Sequence, residues 1–151
     1  MISAEDMFEH SSTLYSQPNK SEIILRNVAR NSYYALFHKL NDVGELTKIS
    51  ASERSFGAHE LLIQQLRMSE NPNVRKWGLE LSKLKSVRTK ADYKLTVRFT
   101  DFEARKALKT TEKILSSMDE VDAEANGQAV NTVTEKVKDS SKARPTLTVI
   151  K

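Results

Sequence analysis

The fold is decided by residues 21–40, which read SEIILRNVARNSYYALFHKL. Apolar and small side chains recur there at steps of three and four residues: Leu25, Val28, Ala29, Ser32, Tyr33, Leu36, Phe37 and Leu40. This is the period of an α-helix that buries one face in a core, and Ser21-Glu22 is a typical helix start. The chain of 151 residues has only 4 Gly and 3 Pro, which favours long helices over a turn-rich β fold.

Outward from this stretch, similar signals predict further helices on both sides. We expect them over about Ser3–Ser16, His59–Met68 and Val74–Leu95, and from Thr100 onward, where Thr100 and Glu103 have the spacing of a capping box. Helices joined by short connections predict an all-α protein, an antiparallel up-and-down bundle of four to five helices. We assign the bundle to residues 1–118. Because periodic apolar residues give way to polar ones, we expect residues 119–151 to form a weakly helical extension and a flexible, disordered tail.

The composition excludes several kinds of chemistry. Cysteine is absent, which removes disulfides, zinc–thiolate sites and cysteine nucleophiles and is typical of a reducing compartment. No apolar run approaches the ~18 residues of a membrane span, and residues 1–15 have no basic leader region. We therefore expect a cytoplasmic protein that does not enter membranes. The sequence has no glycine-rich phosphate loop and no His-x3-His motif, so we expect neither cofactor nor metal.

Positive charge is concentrated in one part of the chain. Residues 67–98 contain nine basic and three acidic residues, an excess of six, whereas the whole chain has a net charge of +4. The remainder is therefore net acidic. A solvated helix face and a surface that binds phosphate groups both account for this distribution.

One basic residue of this stretch occupies a position where an apolar side chain is expected. The inward stripe of the fourth predicted helix comprises Val74, Trp77, Leu81, Leu84, Arg88, Ala91 and Leu95. Every member except Arg88 is apolar. An arginine on a core-facing stripe carries a desolvation cost unless it is paired or faces a cleft.

Polar side chains on two predicted helices can meet at this arginine. Arg30, Tyr34 and His38 lie at four-residue steps on the second helix, and Asp92 and Tyr93 follow Arg88 on the fourth. If the two helices pack together, these residues form a polar pocket. The forked guanidinium group of arginine matches phosphate geometry, tyrosine can donate to phosphate, and an adjacent acid would orient the arginine. The alternative is a buried structural network in which Arg88 pairs with Asp92.

Two runs of these residues resemble segments of the HEPN superfamily. They read RNSYYALFH at residues 30–38 and RTKADY at residues 88–93, with His59 ahead of an apolar helix between them. The similarity is to small stand-alone HEPN proteins with YYA-x-FH and RxxADY segments, and it extends over about residues 21–118. The resemblance implies a helical bundle that often forms a homodimer. It also implies a role with RNA or nucleotides in toxin–antitoxin or antiviral defence systems, often beside a nucleotidyltransferase partner.

Many HEPN proteins are metal-independent RNA endonucleases, whose motif is an arginine followed after four to six residues by a histidine on a late helix. Arg88 matches the arginine, but the chain has Tyr93 five residues on, and an ordinary tyrosine is not a base near pH 7 because its pKa is about 10. Arg54 and His59 have the motif's spacing but lie at a predicted loop–helix junction. His38, across the bundle from Arg88, is a further candidate base.

Three hypotheses follow. The first is a HEPN-type module that binds nucleotide or RNA, with Arg88 as phosphate anchor, Asp92 as its orienting acid, and Arg30, Tyr34, His38 and Tyr93 around the pocket. The second is a ribonuclease toxin that uses Arg88 and His38. The third is a purely structural helical subunit.

Overall fold

The computed structural model of the chain describes residues 1–44, 46 and 56–140, with side chains as far as residue 127. Within these residues there are five helices and no strand: α1 (Ala4–Tyr15), α2 (Glu22–Asn41), α3 (Ala58–Arg67), α4 (Pro72–Tyr93) and α5 (Asp101–Ser140). The prediction of an all-α helical bundle is confirmed. The chain divides into two units, Met1–Leu115 and Ser116–Lys151. The predicted boundary at residue 118 stays a prediction. The predicted disordered tail also stays a prediction, because residues 141–151 lie outside the described part.

Two predicted helix starts have the expected cap. At α1, the Ser3 hydroxyl accepts from the Asp6 amide at 3.0 Å, and the Asp6 carboxylate accepts from the Ser3 amide at 2.7 Å. At α5, Thr100 and Glu103 make the same reciprocal pair at 3.3 and 2.9 Å. These bonds satisfy amide groups that have no partner inside a helix, and they fix where each helix begins.

Contacts between side chains show the direction of each helix. In three pairs of helices, residues early in one helix contact residues late in the other. The contacts are Glu5 with Lys39 and Ser11 with Ser32 for α1 and α2. They are Arg26 with Ala91 and Arg30 with Asp92 for α2 and α4, and Glu60 with Lys85 for α3 and α4. Each of these pairs is therefore antiparallel. The helix α4 packs against both α2 and α3. Arg88 lies in the part of α4 that contacts α2.

The interior of the first unit combines large apolar side chains with small hydroxyl groups. Leu36, Leu40, Leu66, Leu81 and Tyr33 are completely buried. Ser11, Ser32 and Thr111 are also buried, and the hydroxyl of Ser11 lies 2.7 Å from the Val28 carbonyl and 2.8 Å from the Ser32 hydroxyl. Thr111 donates to the Ser32 carbonyl at 3.2 Å. The small side chains let α1, α2 and α5 approach closely, and each of these three buried hydroxyl groups has a partner.

One predicted core position is wrong. Leu95 was expected to continue the inward stripe of α4, but the helix ends at Tyr93 and Leu95 is 71% exposed. The chain leaves the helix at Lys94, whose φ of −98° and ψ of 65° are not helical. Phe99, four residues beyond Leu95, is the side chain that enters the core instead. A three- and four-residue spacing identifies a buried face only as far as the helix extends.

The crossing of α3 and α4 depends on Gly78. A Cβ atom at Gly78 would lie 2.7 Å from the Leu66 Cβ, which is closer than real Cβ contacts. It would also lie 3.2 Å from the Arg67 backbone nitrogen, which is tighter than most such contacts. We expect Gly78→Ala to destabilise the protein by about 1–3 kcal/mol, although alanine is the better helix former by ~1 kcal/mol. Gly127→Ala is the matched control, because a Cβ atom there meets nothing within 4 Å. Urea unfolding measures both, and an equal or greater stability of Gly78→Ala would contradict the close crossing.

Candidate functional site

The candidate site is built around Arg88, the charged member of the inward stripe of α4. The residue is only 8% exposed, and the apolar members of the stripe around it, Trp77, Leu81, Leu84 and Ala91, are buried as predicted. The spacing of Arg88 along α4 therefore places its cationic side chain in the interior of the first unit. Such a burial is costly unless other groups of the protein or a ligand compensate the charge.

Two tyrosine rings of α2 form one wall of the site. The central carbon of the Arg88 guanidinium lies 5.2 Å from the ring centre of Tyr33 and 5.7 Å from that of Tyr34. Tyr33 is fully buried, whereas Tyr34 is half-buried and also lies 5.8 Å from the guanidinium of Arg30. Attraction between a cation and an aromatic ring contributes about 0.5–2 kcal/mol, which offsets part of the cost of burying Arg88.

The hydrogen bonds of Arg88 are incomplete. Its Nη1 atom lies 3.5 Å from the Oδ2 atom of Asp92, and the other oxygen of Asp92 lies 3.5 Å from Nε of Arg30. Strong bonds between a guanidinium and a carboxylate are about 2.7–2.9 Å long, so Asp92 is shared between two arginines and held closely by neither. The Nε atom of Arg88 is buried and has no hydrogen-bond partner.

A second buried arginine shows what a satisfied guanidinium looks like in this fold. Arg26, on α2, is 6% exposed, and all three of its guanidinium nitrogens are hydrogen-bonded. They donate to the carboxylate of Glu22 and to four backbone carbonyls, those of Lys90, Ala91, Lys94 and Val97, at 2.6–3.2 Å. Arg26 thus caps the C-terminal end of α4. Its pairing is structural, and the contrast makes the free donor of Arg88 informative.

His59, in the first turn of α3, completes the aromatic side of the site. Its Nδ1 atom lies 2.7 Å from the Tyr33 hydroxyl oxygen, and its ring is centred 4.4 Å from that of Phe37 and 5.9 Å from that of Tyr34. Burial lowers the pKa of His59 below its usual 6.5, and the positive charges of Arg88 and Lys85 lower it further. The imidazole is therefore neutral at pH 7. Burial also raises the pKa of Tyr33 to about 12, so its hydroxyl stays protonated.

The structure brings four of the predicted site residues together and places the others differently. Arg30, Tyr34, Arg88 and Asp92 come together as the packing of two helices predicted. His38 is exposed and stacks on Tyr34, with 6.3 Å between ring centres, so it borders the site from solvent. Tyr93 is 73% exposed and does not line the site. Arg54 lies outside the described residues, so its pairing with His59 stays a prediction.

Among the described residues, no three His, Asp or Glu side chains converge as metal ligands. No described helix combines the length and apolar character needed to cross a membrane.

Comparisons with protein families, curated proteins and solved structures find no match for the chain. The site itself is therefore the basis for a functional inference. Four properties of that site bear on it: a buried cation with a free donor, a second arginine 3.5 Å from the shared acid, a neutral imidazole and an aromatic wall.

Proposed function

We propose that this protein is a HEPN-type module that binds a phosphate group of RNA or of a nucleotide through Arg88. The single observation behind the proposal is the buried Nε–H of Arg88, which has no partner although Arg26 in the same fold has all of its donors paired. A buried donor without an acceptor costs about 1–3 kcal/mol. A phosphate oxygen would remove that cost.

The surrounding charges suit an anion better than a second cation or an apolar group. Arg30 and Arg88 flank a single carboxylate, that of Asp92, so the site keeps an excess positive charge. Each guanidinium group can present a pair of N–H donors to one phosphate. Both guanidinium groups lie beside the Tyr34 ring, which holds the two arginine side chains near each other. A ligand would enter from the side of the site that is open to solvent. Two exposed residues, Arg30 and His38, and two half-buried residues, Tyr34 and Asp92, form that side.

The resemblance to HEPN proteins extends this proposal to biological context. It supports a role in a toxin–antitoxin or antiviral defence system, a cytoplasmic location, assembly as a homodimer, and a nucleotidyltransferase or other defence protein as partner. A light-scattering mass of a single chain would exclude the homodimer.

The binding proposal predicts a large effect of one substitution. We expect Arg88→Met to weaken binding of a fluorescently labelled uridylate hexamer about tenfold or more, because two charge-assisted hydrogen bonds are lost. Arg105→Met is the matched control, because Arg105 is exposed on α5 and its substitution removes the same positive charge away from the site. We expect it to change the affinity about twofold, through non-specific attraction alone. Fluorescence anisotropy at fixed salt measures both.

Two results would argue against the binding module. Equal losses in the two variants would mean that only net charge attracts the RNA. An Arg88→Met protein that unfolds, together with a wild-type protein that binds neither hexamer nor mononucleotide, would favour the purely structural subunit.

A ribonuclease is the second candidate function, and the neutral imidazole of His59 favours it. When Nδ1–H of His59 donates to the Tyr33 oxygen, Nε2 keeps a lone pair and can accept a proton. The base and the phosphate-binding arginine would then share one pair of tyrosines, Tyr33 and Tyr34. This differs from the pairing of Arg88 with His38 expected from sequence, because α3 brings a second histidine to the site.

A further inference from the structure

A groove lies between α3 and α4 beside the candidate site. Its volume is about 310 Å³, and six residues line it: Glu60, Ser82, Lys85, Ser86, Thr89 and Lys94. Small-molecule sites usually enclose ~300–1,000 Å³, so this groove has room for one sugar or a similar small group. Every lining side chain is polar.

The groove and the Arg88 site are neighbours along α4: Lys85 and Thr89, which line the groove, lie three residues before and one residue after Arg88. Lys85, Arg88, Thr89 and Asp92 follow one another at steps of three, one and three residues, so their side chains lie along one side of the helix. On α3, the groove residue Glu60 directly follows His59, which contacts Tyr33. A ligand whose phosphate occupies the Arg88 site would therefore extend into this groove.

Glu60 decides what the groove can accept. Its carboxylate accepts hydrogen bonds from Lys85 at 2.7 Å and from Gln64 at 2.8 Å. The hydrogen bond from Lys85 and, to a lesser extent, the one from Gln64 keep the pKa of Glu60 below its usual value. The carboxylate is therefore ionised at neutral pH. A carboxylate oxygen has room for a second donor. Because Lys85 already balances the charge of Glu60, a neutral donor suits the place beside the carboxylate.

Hydroxyl groups line the other wall. Thr89 donates its hydroxyl to the Lys85 carbonyl at 2.8 Å, which leaves the Thr89 oxygen free to accept another bond. Ser86 and Ser82 lie about one and two turns before Thr89 on the same helix. A fixed carboxylate opposite hydroxyl oxygens is suited to a ligand that carries several hydroxyl donors, as a sugar does.

We propose that this groove holds the ribose of the bound nucleotide and that Glu60 accepts a hydrogen bond from its 2′-hydroxyl. The proposal rests on phosphate binding at Arg88 and adds the identity of the sugar. Carboxylates recognise ribose hydroxyls in other nucleotide sites, and the 2′-hydroxyl is the group by which a protein distinguishes RNA from DNA. The site would then select ribonucleotides by Glu60 rather than by base identity.

The wild-type protein tests this directly. We expect a labelled uridylate hexamer to bind about tenfold more tightly than the same hexamer with 2′-deoxyribose, because a hydrogen bond to a charged acceptor is lost. A 2′-fluoro hexamer separates the hydrogen bond from sugar shape, since fluorine favours the ribose pucker but has no proton to donate. We expect it to bind as weakly as the deoxy hexamer. Binding as tight as that of the RNA would overturn the proposal.

Variants identify the residue responsible. We expect Glu60→Gln to reduce the preference for RNA to about twofold, since a neutral amide oxygen is a weaker acceptor. Glu80→Gln is the matched control, because Glu80 pairs with Lys83 at 2.7 Å as Glu60 does with Lys85, but outside the groove. An unchanged preference in a folded Glu60→Gln protein would overturn the assignment.

The outcomes also separate this inference from the function on which it rests. If the RNA and deoxy hexamers bind equally and both depend on Arg88, the phosphate site stands and the ribose groove is wrong. If neither hexamer binds, the proposed function itself fails.

Discussion

Replacing Arg26 by methionine is expected to lower the free energy of unfolding by about 3–5 kcal/mol, the range for a buried charge network that loses one partner. The side chain is 6% exposed and donates to four backbone carbonyls and to Glu22. Methionine fills similar volume but donates no hydrogen bond. The last carbonyls of α4 would then lack this cap, and Glu22, which also accepts from the Phe99 amide at 3.1 Å, would lose its cation.

The same substitution at Arg88 should have little effect on stability. Arg88→Met removes two contacts with tyrosine rings, the polar contact with the Tyr33 hydroxyl and the 3.5 Å ion pair with Asp92. It also removes a buried charge whose Nε has no acceptor, and Asp92 keeps Arg30 as a partner. These terms oppose each other, so we expect a change within about 1 kcal/mol in either direction. Urea unfolding followed by circular dichroism compares the two variants at one pH and one salt concentration.

The comparison distinguishes an arginine that holds the fold from one that is kept for a ligand. Both are on helices, both are more than nine-tenths buried, and both receive the same replacement. Similar large losses in both variants would mean that Arg88 belongs to the structural network, as the third hypothesis holds. A small loss at Arg26 would show that its four carbonyl bonds contribute less than their number suggests.

The helices and the position of Arg88 could be predicted because both depend on local periodicity. The stripe of α2 and the charged position on α4 follow from three- and four-residue spacing, and Arg30 and Asp92 follow because the two helices pack together. Arg26 could not be assigned in this way. Its four carbonyl partners lie 64–71 residues further along the chain, and two of them follow the end of α4.

The histidine of the site was harder to predict for a related reason. His38 shares a helix stripe with Arg30 and Tyr34, so spacing alone placed it at the site, yet its side chain is exposed. His59 reaches Tyr33 only because α3 packs against α4, a contact that no sequence spacing encodes. Its one sequence signal was the four-residue gap from Arg54, and Arg54 lies outside the described residues.

If the second candidate function is correct, RNA cleavage without metal should depend strongly on His59. The imidazole would take the proton of a 2′-hydroxyl, whose oxygen attacks the adjacent phosphorus while the bond to the 5′-oxygen breaks. The departing oxygen takes a proton from water, and the products are a 2′,3′-cyclic phosphate and a 5′-hydroxyl. Arg88 would stabilise the negative charge that develops on the phosphate. Loss of a general base costs about 10²–10⁴-fold in rate, so we expect that loss in His59→Gln when labelled RNA is incubated in EDTA.

The matched variant is His38→Gln, which removes the exposed imidazole, and we expect it to lower the rate less than about tenfold. The pH profile provides an independent check. Since the pKa of His59 lies below 6.5, the rate should rise with pH only up to that lowered pKa and then stay level, because the base is active when neutral. A greater loss in His38→Gln than in His59→Gln would restore the pairing of Arg88 with His38. Cleavage that depends on Glu60 but not on either histidine would assign the base to that carboxylate, whereas intact RNA at high protein concentration would leave phosphate binding as the function of the site.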